Sequence, residues 1–440
     1  MRNKLKILFF FLITISIPAQ VNLESKSIKG KIKIPFELTH NLIIVDIVLN
    51  GKPLKMIADT GADKSLLFSI PQNDSLILNK AERINIKGVG SEEKIEAFLT
   101  TNNHLKINKF EEYDFELVLL PNQDISIIDK LGIPINGILG NSFFKKGIIE
   151  INYQKKQLIL HPQKLLINDK RIKKYQKLPV EVTEDKPYIT VPIAVDKQLK
   201  KYKLLFDTGL GDGLWLFEND TLQCNNIFFE DVLGVGLSGN ISGKRSRIQH
   251  ILFSGFNLNQ ALVSYPDSTS FNQNYLLKSR NGSLGGEITK RFNWFLDFEN
   301  QAFYFKKNNL FNLPFEYNMS GIEVQHSGSE WDKVEIRDNS SKNSTNLNEF
   351  FFDDSSKKFN YDYKLKPVFH IYAIRKNSPA DRAGLQVNDK IVSINNRVAA
   401  QLTIQSISNL FQSEAGKYIY IIVERNKKQI AVKFQLEKIL

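Results

Sequence analysis

Cysteine and histidine are scarce in this sequence. Among its 440 residues, cysteine occurs once, as Cys224, and histidine six times. A single cysteine excludes an intrachain disulfide framework, a zinc ribbon and a cysteine-bound iron–sulfur cluster. No two of the histidines stand at the spacing of a metal site. We therefore expect no metal and no cofactor.

Acidic residues are fewer than basic ones, yet the basic excess forms no patch along the chain. Lys and Arg number 59 and Asp and Glu 47, which gives a net charge of +12. Because no lysine run with interleaved aromatic residues is present, we expect no nucleic-acid binding. Hydrophobic residues make up 42% of the chain, which is enough to build packed cores and excludes disorder as the main state.

Long hydrophobic runs are limited to the N-terminus. Residues 1–6 are basic, residues 7–17 are apolar apart from two hydroxyl side chains, and Pro-Ala-Gln follows. This is the pattern of a secretory signal peptide, here residues 1–19, and the apolar part is shorter than the ~20 residues that span a bilayer. We expect export in a bacterium, to the periplasm, the cell surface or the medium, with no transmembrane span in the mature chain. An uncleaved N-terminal anchor is the alternative.

An internal repeat organises most of the chain. Residues 136–160 align without gaps to residues 281–305, and both segments begin Asn-Gly-x-Leu-Gly. Two further blocks match upstream in the same order, residues 56–63 with 204–211 and residues 34–39 with 178–183. Three matched blocks indicate a duplicated unit of about 145 residues. Within each unit, short apolar stretches separated by tight turns predict a mostly antiparallel β structure.

Each copy of the repeat places an Asp-Thr-Gly triplet directly after an apolar strand, at residues 59–61 and 207–209. A turn after a strand explains one copy but not two copies at equivalent points. Two lobes related by a pseudo-twofold axis would bring Asp59 and Asp207 face to face, where two carboxyls share one proton. The ionised carboxylate can then act as a general base on water, while the protonated one donates to a peptide carbonyl oxygen.

These residues resemble the aspartic peptidases, and specifically the two-lobed bacterial retropepsin-like proteins. The resemblance covers about residues 30–308 and includes Leu-Gly at 139–140 and 284–285, which looks like the second signature of the family. It implies a mainly β, two-lobed pseudo-twofold fold with closed β lobes at residues 30–165 and 175–310. It also implies a catalytic pair and residues that support it. The pair is Asp59 and Asp207, and the supporting residues are Thr60, Gly61, Thr208 and Gly209.

A second glycine-containing segment follows each triplet where the family has its flap. These segments are Gly88-Val89-Gly90 and Gly234-Val235-Gly236. The resemblance implies that they close over a bound peptide. An ordinary hairpin turn is the alternative for either segment.

The sequence departs from the family pattern beside both triplets. Neither Ala62 nor Leu210 carries a hydroxyl that could hydrogen-bond an outer carboxylate oxygen, so the carboxyl pKa values should be less depressed. We therefore expect an activity optimum nearer neutral than the strongly acidic range of pepsin. The looser sequence after the second triplet leaves open a degenerate lobe that binds peptides without cutting them. Asp63 and Asp212 are interpreted as residues of solvated turns.

The last part of the chain resembles bacterial PDZ domains. The resemblance rests on Asn-Ser-Pro-Ala at 377–380, Ala-Gly-Leu at 383–385 and Asn-Asp-Lys-Ile at 388–391. It implies an α+β domain at residues 316–440, with an amphipathic helix at 402–411 and closing strands at 419–423 and 430–436.

The predicted PDZ domain contains a polar insertion at about residues 326–366, rich in Ser, Asn, Asp and Lys. Such a composition predicts a mobile loop. A PDZ domain adds a peptide as an extra strand and holds its C-terminal carboxylate on backbone amides. The candidate peptide-binding residues here are Gly321, Ile322 and Val324, and an interdomain strand without a binding role is the alternative.

Together these patterns predict an exported aspartic endopeptidase that hydrolyses peptide bonds by a water activated between Asp59 and Asp207. Its substrates would be peptides or unfolded proteins, and its PDZ module would recruit substrate or partner C-termini. A catalytically inactive peptide-binding or scaffolding protein is the alternative function. A peptidase dedicated to one protein partner is a third possibility.

Overall fold

The computed structural model describes residues 30–70, 75–87, 94–121, 127–163, 170–196, 198–225, 227–236, 239–268, 277–336 and 360–440. Strands dominate these ranges and the helices are short, so the predicted mainly β class is confirmed. The predicted signal segment, residues 1–19, lies outside the described residues. Within the described ranges, no helix combines the length and hydropathy needed to cross a membrane.

Most of the first copy of the repeat forms an eight-stranded sheet. The sheet closes on itself through an extra pairing of its second and seventh strands, which hold Leu42–Leu49 and Lys94–Ile107. Asn50 and Gly51 adopt positive φ angles of 47° and 84° between two strands of this sheet, as a tight hairpin turn requires. The elements of this part of the chain are β1 (Ile32–Pro35), β2 (Glu37–Thr39), β3 (Leu42–Leu49), β4 (Lys52–Ala58), β5 (Leu66–Leu67), β6 (Glu82–Lys87), β7 (Lys94–Ile107), β8 (Phe110–Leu119), α1 (Ile127–Leu131), β9 (Gly137–Leu139), α2 (Asn141–Phe144), β10 (Ile148–Asn152) and β11 (Gln157–His161).

The second copy repeats this plan with the same order of matched elements. A single turn of 3-10 helix at Ile172–Lys174 leads into it. Its elements are β12 (Gln176–Thr183), β13 (Lys186–Ala194), β14 (Leu199–Phe206), β15 (Leu214–Leu216), β16 (Phe228–Gly236), β17 (Gly239–Arg247), β18 (His250–Phe253), β19 (Phe256–Asn259), β20 (Leu262–Pro266), β21 (Gly282–Leu284), α3 (Gly286–Thr289), β22 (Phe292–Asp297) and β23 (Ala302–Lys307).

Both lobes contain two parallel strand pairs within their antiparallel sheets. The strand before each triplet pairs in parallel with the strand that carries the Asn-Gly-x-Leu-Gly motif: β4 with β9, and β14 with β21. The strand after each triplet pairs in parallel with a later one: β5 with β8, and β15 with β20. The hairpin patterns did not predict the parallel strand pairs, because the two strands of each pair are far apart along the chain.

One antiparallel sheet joins the two lobes. Its strands run in the order β1, β11, β10, β22, β23, β12. At its centre β10 pairs with β22, and Ile149 lies opposite Leu296. Since these two strands are equivalent in the repeat, the pseudo-twofold axis passes between them.

The C-terminal region forms a separate six-stranded sheet. Ser378 caps the first of its two helices by accepting a hydrogen bond from the amide of Asp381, and Thr403 caps the second in a capping box. The predicted amphipathic helix and both closing strands are present. The elements are β24 (Ile322–Ile336), β25 (Asn360–Ile374), α4 (Pro379–Arg382), β26 (Lys390–Ile394), β27 (Arg397–Val398), α5 (Ile404–Phe411), β28 (Tyr418–Arg425) and β29 (Lys428–Gln435).

The polar insertion differs from the expectation of a mobile loop. Residues 326–336 and 360–366 belong to a long antiparallel hairpin of β24 and β25, and residues 337–359 lie outside the described residues. Trp331 and Leu365 face each other on this hairpin and are 68% and 60% exposed. A two-stranded hairpin satisfies its backbone hydrogen bonds without a packed core, so a polar composition did not prevent strand formation.

A buried arginine fixes the segment between the second lobe and the C-terminal region. The side chain of Arg291 has no exposed surface and forms an ion pair with Glu287, with an N–O distance of 2.7 Å. Its guanidinium also donates hydrogen bonds to the main-chain carbonyls of Phe311, Leu313 and Pro314. The linker is therefore held against the lobe by one side chain.

Candidate active site

The two Asp-Thr-Gly triplets occupy equivalent places at the ends of β4 and β14. The amide of Asp59 donates to the carbonyl of Leu139, and the amide of Asp207 donates to the carbonyl of Leu284, both at 2.9 Å. Each aspartate is thus fixed by the parallel strand that carries the Leu-Gly motif. The motif lies directly behind the triplet, as the resemblance implied.

The two threonines of the triplets hydrogen-bond across the pseudo-twofold axis. The hydroxyl of Thr60 donates to the carbonyl of Phe206 at 2.6 Å, and the hydroxyl of Thr208 donates to the carbonyl of Ala58 at 2.8 Å. In return, each hydroxyl accepts a hydrogen bond from the amide of the other threonine, at 3.0 and 3.1 Å. Both threonines are buried. This reciprocal set of hydrogen bonds connects the two lobes at the base of the site.

The two glycines of the triplets allow the opposing loops to approach. A Cβ atom on Gly209 would lie 2.2 Å from Cγ of Asp59, and one on Gly61 would lie 2.7 Å from Oδ1 of Asp207. Each glycine amide also donates to an oxygen of the aspartate in its own loop, at 2.6 Å for Asp59 and 3.1 Å for Asp207. Glycine is needed here because of the cross-lobe contact.

The carboxyl groups of Asp59 and Asp207 are buried and each lies against the glycine of the opposing loop, and both have raised pKa values. For Asp59, burial is the main cause and repulsion from Asp207 is the second. For Asp207, burial raises the pKa and the positive charge of Arg280 partly opposes it. Two buried carboxyls in contact favour a state with one shared proton. Such a pair can supply a base and an acid at the same time.

Arg280 was not singled out from the sequence. It stands immediately before the Asn-Gly of the second lobe, where the first lobe has Ile135. A position-by-position comparison of the two copies could have identified Arg280, because it is a charged residue beside a matched motif where the other copy has an apolar residue.

Asp212 does not lie in a solvated turn, and that prediction is wrong. Its carboxylate accepts hydrogen bonds from Nε1 of Trp215 at 2.9 Å and from Oγ of Ser264 at 2.8 Å. It also forms an ion pair of 2.9 Å with Arg245. Ser264 and Arg245 are distant in sequence, and together with Trp215 they fix the loop that follows the second triplet. Asp63, which follows the first triplet, is exposed as expected.

The structure describes one of the two candidate flap segments. Gly88, Val89 and Gly90 fall between β6 and β7 and lie outside the described residues. Gly234, Val235 and Gly236 end β16, which pairs with β17 up to Gly236 opposite Gly239. A role as flaps stays a prediction.

The candidate peptide-binding residues of the C-terminal region lie at the start of β24, an edge strand of its sheet. Gly321 has a φ of 83°, and the side chains of Ile322 and Val324 are buried. Helix α5 packs beside this strand, so that β24 and α5 form the two walls of a groove. The binding role of the three residues stays a prediction.

Helix α1 of the first lobe contacts both walls of this groove. Nζ of Lys130 lies 4.5 Å from the ring centroid of Tyr372 on β25. A Cβ atom on Gly132 would lie 2.9 Å from Cδ1 of Ile404 on α5. The amide of His40 donates to Oε1 of Gln405 at 2.7 Å. The first lobe and the groove are therefore in direct contact.

A cavity of about 430 Å³ runs between the groove and the second catalytic loop. Gly209 and Leu210 line one part, and Ile322, Val324 and Ile407 line another. Among the described residues, no three His, Cys, Asp or Glu side chains are grouped as metal ligands. The walls of the cavity are mixed polar and apolar, as suits a peptide.

Comparison with known proteins places both regions of the chain. Residues 45–143 match the family described as aspartyl protease, and residues 370–425 match the family described as PDZ domain. The crystal structure of an aspartic proteinase from Irpex lacteus aligns with 64% of this chain and 99% of its own, at 9% identity and a TM-score of 0.40. No curated protein matches the chain. The first match contains the triplet at 59–61, and the two matches together support an aspartic peptidase with a C-terminal PDZ domain.

Proposed function

We propose that this aspartic peptidase with a PDZ domain is an exported endopeptidase that hydrolyses peptide bonds with a water molecule activated between Asp59 and Asp207. The observation that carries the proposal is the close approach of the two triplet loops across the pseudo-twofold axis, which places each buried carboxyl against the glycine of the other loop, and burial raises the pKa of both carboxyls. One ionised and one protonated carboxyl supply the base and the acid that amide hydrolysis needs. Export rests on the pattern of residues 1–19 alone.

The cross-lobe hydrogen bonds of Thr60 and Thr208 support catalysis by preorganisation. Because each hydroxyl both donates and accepts across the axis, the two loops cannot separate without leaving buried backbone groups unpaired. The carboxyl groups are thereby held at a fixed separation before substrate binds. Fixed geometry lowers the entropic part of the barrier.

The PDZ module recruits peptide or unfolded protein substrates, or partner proteins, by their C-termini. The cavity between the PDZ groove and the second catalytic loop supports this role, because a chain bound beside Ile322 and Val324 lies next to Gly209 and Leu210. Adding a peptide strand to the edge of β24 is the ordinary binding mode of such a groove. Helix α1 borders that edge and must yield space to the added strand.

Cleavage of unfolded casein across pH 3–8 tests the peptidase proposal. We expect the parent protein to cleave casein, with an optimum nearer neutral than that of pepsin, because burial raises the carboxyl pKa values. Asp59→Asn and Asp207→Asn each remove the acid–base pair and should abolish cleavage. The exposed Asp63→Asn serves as the matched control and should cleave like the parent.

Two results would contradict the proposal. Cleavage that survives both Asp59→Asn and Asp207→Asn would reject the pair as the catalytic group. No cleavage by the parent at any pH would instead favour a peptide-binding or scaffolding protein. An optimum below about pH 3 would contradict the expected effect of the raised pKa values.

A further inference from the structure

The sheet face that carries Asp207 differs from the equivalent face in the first lobe. Although β14 ends at Phe206, the amide of Asp207 continues its pairing with β21 by donating to the carbonyl of Leu284. Side chains alternate along such an extended segment, so Leu205 lies on the same face as Asp207. Tyr188 is paired with Leu205 across β13 and β14, and Ser283 is paired with Leu205 across β14 and β21. Directly paired residues share a face. This face of the second lobe therefore carries a phenol and a hydroxyl.

The first lobe has only aliphatic side chains at the same positions. Ile57 precedes Asp59 by two residues, and it is paired with Ile44 and with Ile138. Ile135, which stands where the second lobe has Arg280, packs into the same hydrophobic cluster. One half of the site is thus supported by hydrocarbon and the other half by polar groups and a cation.

The guanidinium of Arg280 is held on the polar face by two hydrogen bonds. Its Nε donates to the carbonyl of Gly282 at 3.0 Å, and its Nη2 donates to Oγ of Ser283 at 2.5 Å. The ring of Phe217 lies 5.4 Å from its central carbon. These contacts fix the cation on the same face of the sheet as Asp207.

The cation acts on one carboxyl of the pair. Burial raises the pKa of Asp207, and the charge of Arg280 partly opposes that rise. Burial likewise lowers the pKa of Arg280, and the charge of Asp207 partly opposes that fall. For Asp59 the strongest opposing effects are hydrogen bonds from the amides of Gly61 and Ala62. Since the groups are buried, salt screens their interaction only weakly.

We propose that Arg280 is a positioning residue that makes the two carboxyls unequal, keeping the negative charge on Asp207 and the proton on Asp59. This inference rests on the proposed peptidase function and assigns the two roles within it. Asp207 takes a proton from the water molecule while the water oxygen attacks the carbonyl carbon of the peptide bond. At the same time Asp59 gives its proton to the carbonyl oxygen. In the second half, Asp207 returns its proton to the amine as the C–N bond breaks. Asp59 regains a proton from one hydroxyl of the diol, so both carboxyls end as they began.

Titration of single carboxyls tests this assignment without any need for activity. In Asp59→Asn protein with ¹³C-labelled aspartate, the signal of Asp207 should titrate about one pH unit higher after Arg280→Gln, a tenfold change in proton affinity. Glutamine keeps hydrogen-bond donors for Ser283 and Gly282 but loses the charge. Arg280→Lys keeps the positive charge, so the titration midpoint of Asp207 should lie close to its value with Arg280. Ile135→Met changes the equivalent position of the first lobe and should leave the titration midpoint of Asp207 unchanged.

The reciprocal titration completes the test. In Asp207→Asn protein, Arg280→Gln should move the midpoint of Asp59 much less than it moves that of Asp207. Equal shifts of the two carboxyls, or no shift of Asp207, would overturn the inference.

The pH dependence of cleavage gives a second, separate measurement. The acidic limb of the profile reports ionisation of Asp207, so Arg280→Gln should move that limb to higher pH by about one unit. Arg280→Lys should move it less. A loss confined to substrates with an acidic side chain beside the cleaved bond, at unchanged pH profile, would show that Arg280 binds substrate instead. If the parent protein cleaves nothing, the peptidase proposal fails while the titrations still decide the charge assignment.

Discussion

Gly209 has no room for a side chain, because its Cα faces the carboxyl group of Asp59 in the other lobe. We predict that Gly209→Ala lowers kcat by at least about 100-fold, since a shift of about 1 Å in catalytic groups costs that much. The change should leave the protein folded. Casein cleavage and a circular dichroism spectrum measure the two effects. Gly30→Ala is the control, because a Cβ on Gly30 meets nothing within 4 Å.

A Gly209→Ala protein with the parent rate would contradict this prediction. It would mean that the loops tolerate separation and that the observed contact of the carboxyls is not needed for cleavage.

Single residues were predictable where their role depends on neighbours in sequence. The triplets at 59–61 and 207–209 are short motifs repeated at equivalent points, so the sequence predicted the facing aspartates, and the family resemblance implied that the two threonines support them. Asp212 was misread because its partners, Arg245 and Ser264, are far along the chain. Arg280 was missed for the same reason, since its importance depends on which sheet face it shares.

At the scale of elements, the contact of α1 with the PDZ groove gives a second prediction. Gly132→Ala places a methyl group against Ile404 and should push α5 away from the first lobe. We expect faster amide hydrogen exchange in α5 and in the start of β24. Gly328→Ala is the matched control, because Gly328 has a similar positive φ of 79° but an open Cβ position. Equal exchange in the two variants would show that α1 does not brace the groove.

The elements themselves were predicted in part. Short apolar stretches separated by tight turns predicted antiparallel strands in both lobes, and the helix α5 was predicted at residues 402–411. Helix α1 was not predicted, because it has five residues and its stability comes from packing against the PDZ region. The hairpin of β24 and β25 was read as a loop, since composition reports core formation and not strand pairing.

For the whole molecule, Arg291 predicts how strongly the two regions are coupled. Arg291→Met leaves the linker carbonyls without their donor, so we expect the free energy of unfolding to fall by about 3 kcal/mol. Calorimetry should then resolve the PDZ region as a separate transition from the peptidase lobes. The control is Arg382→Met, because Arg382 and Glu437 form an exposed ion pair worth about 0–1 kcal/mol. An equal decrease in the free energy of unfolding for the two variants would mean that the contacts of Arg291 with the linker do not couple the two regions.

The overall architecture was predictable from the repeat, but the placement of the PDZ region was not. Duplicated blocks imply two lobes and a pseudo-twofold axis. The contacts that place the PDZ region join residues as distant as His40 and Gln405, and neither residue belongs to a motif. Such packing depends on the surfaces of the folded domains, and short sequence motifs do not predict it.

The single PDZ groove makes the two ends of the catalytic cleft different for a bound peptide. A cleft with twofold symmetry would accept a polypeptide running in either direction, because its two ends would be the same. In this molecule the cavity from the groove reaches the loop after Asp207 and includes Gly209 and Leu210. For the proposed peptidase, a chain held by its C-terminus then enters the cleft from that end only. The N-to-C polarity of the substrate is fixed before either carboxyl touches it.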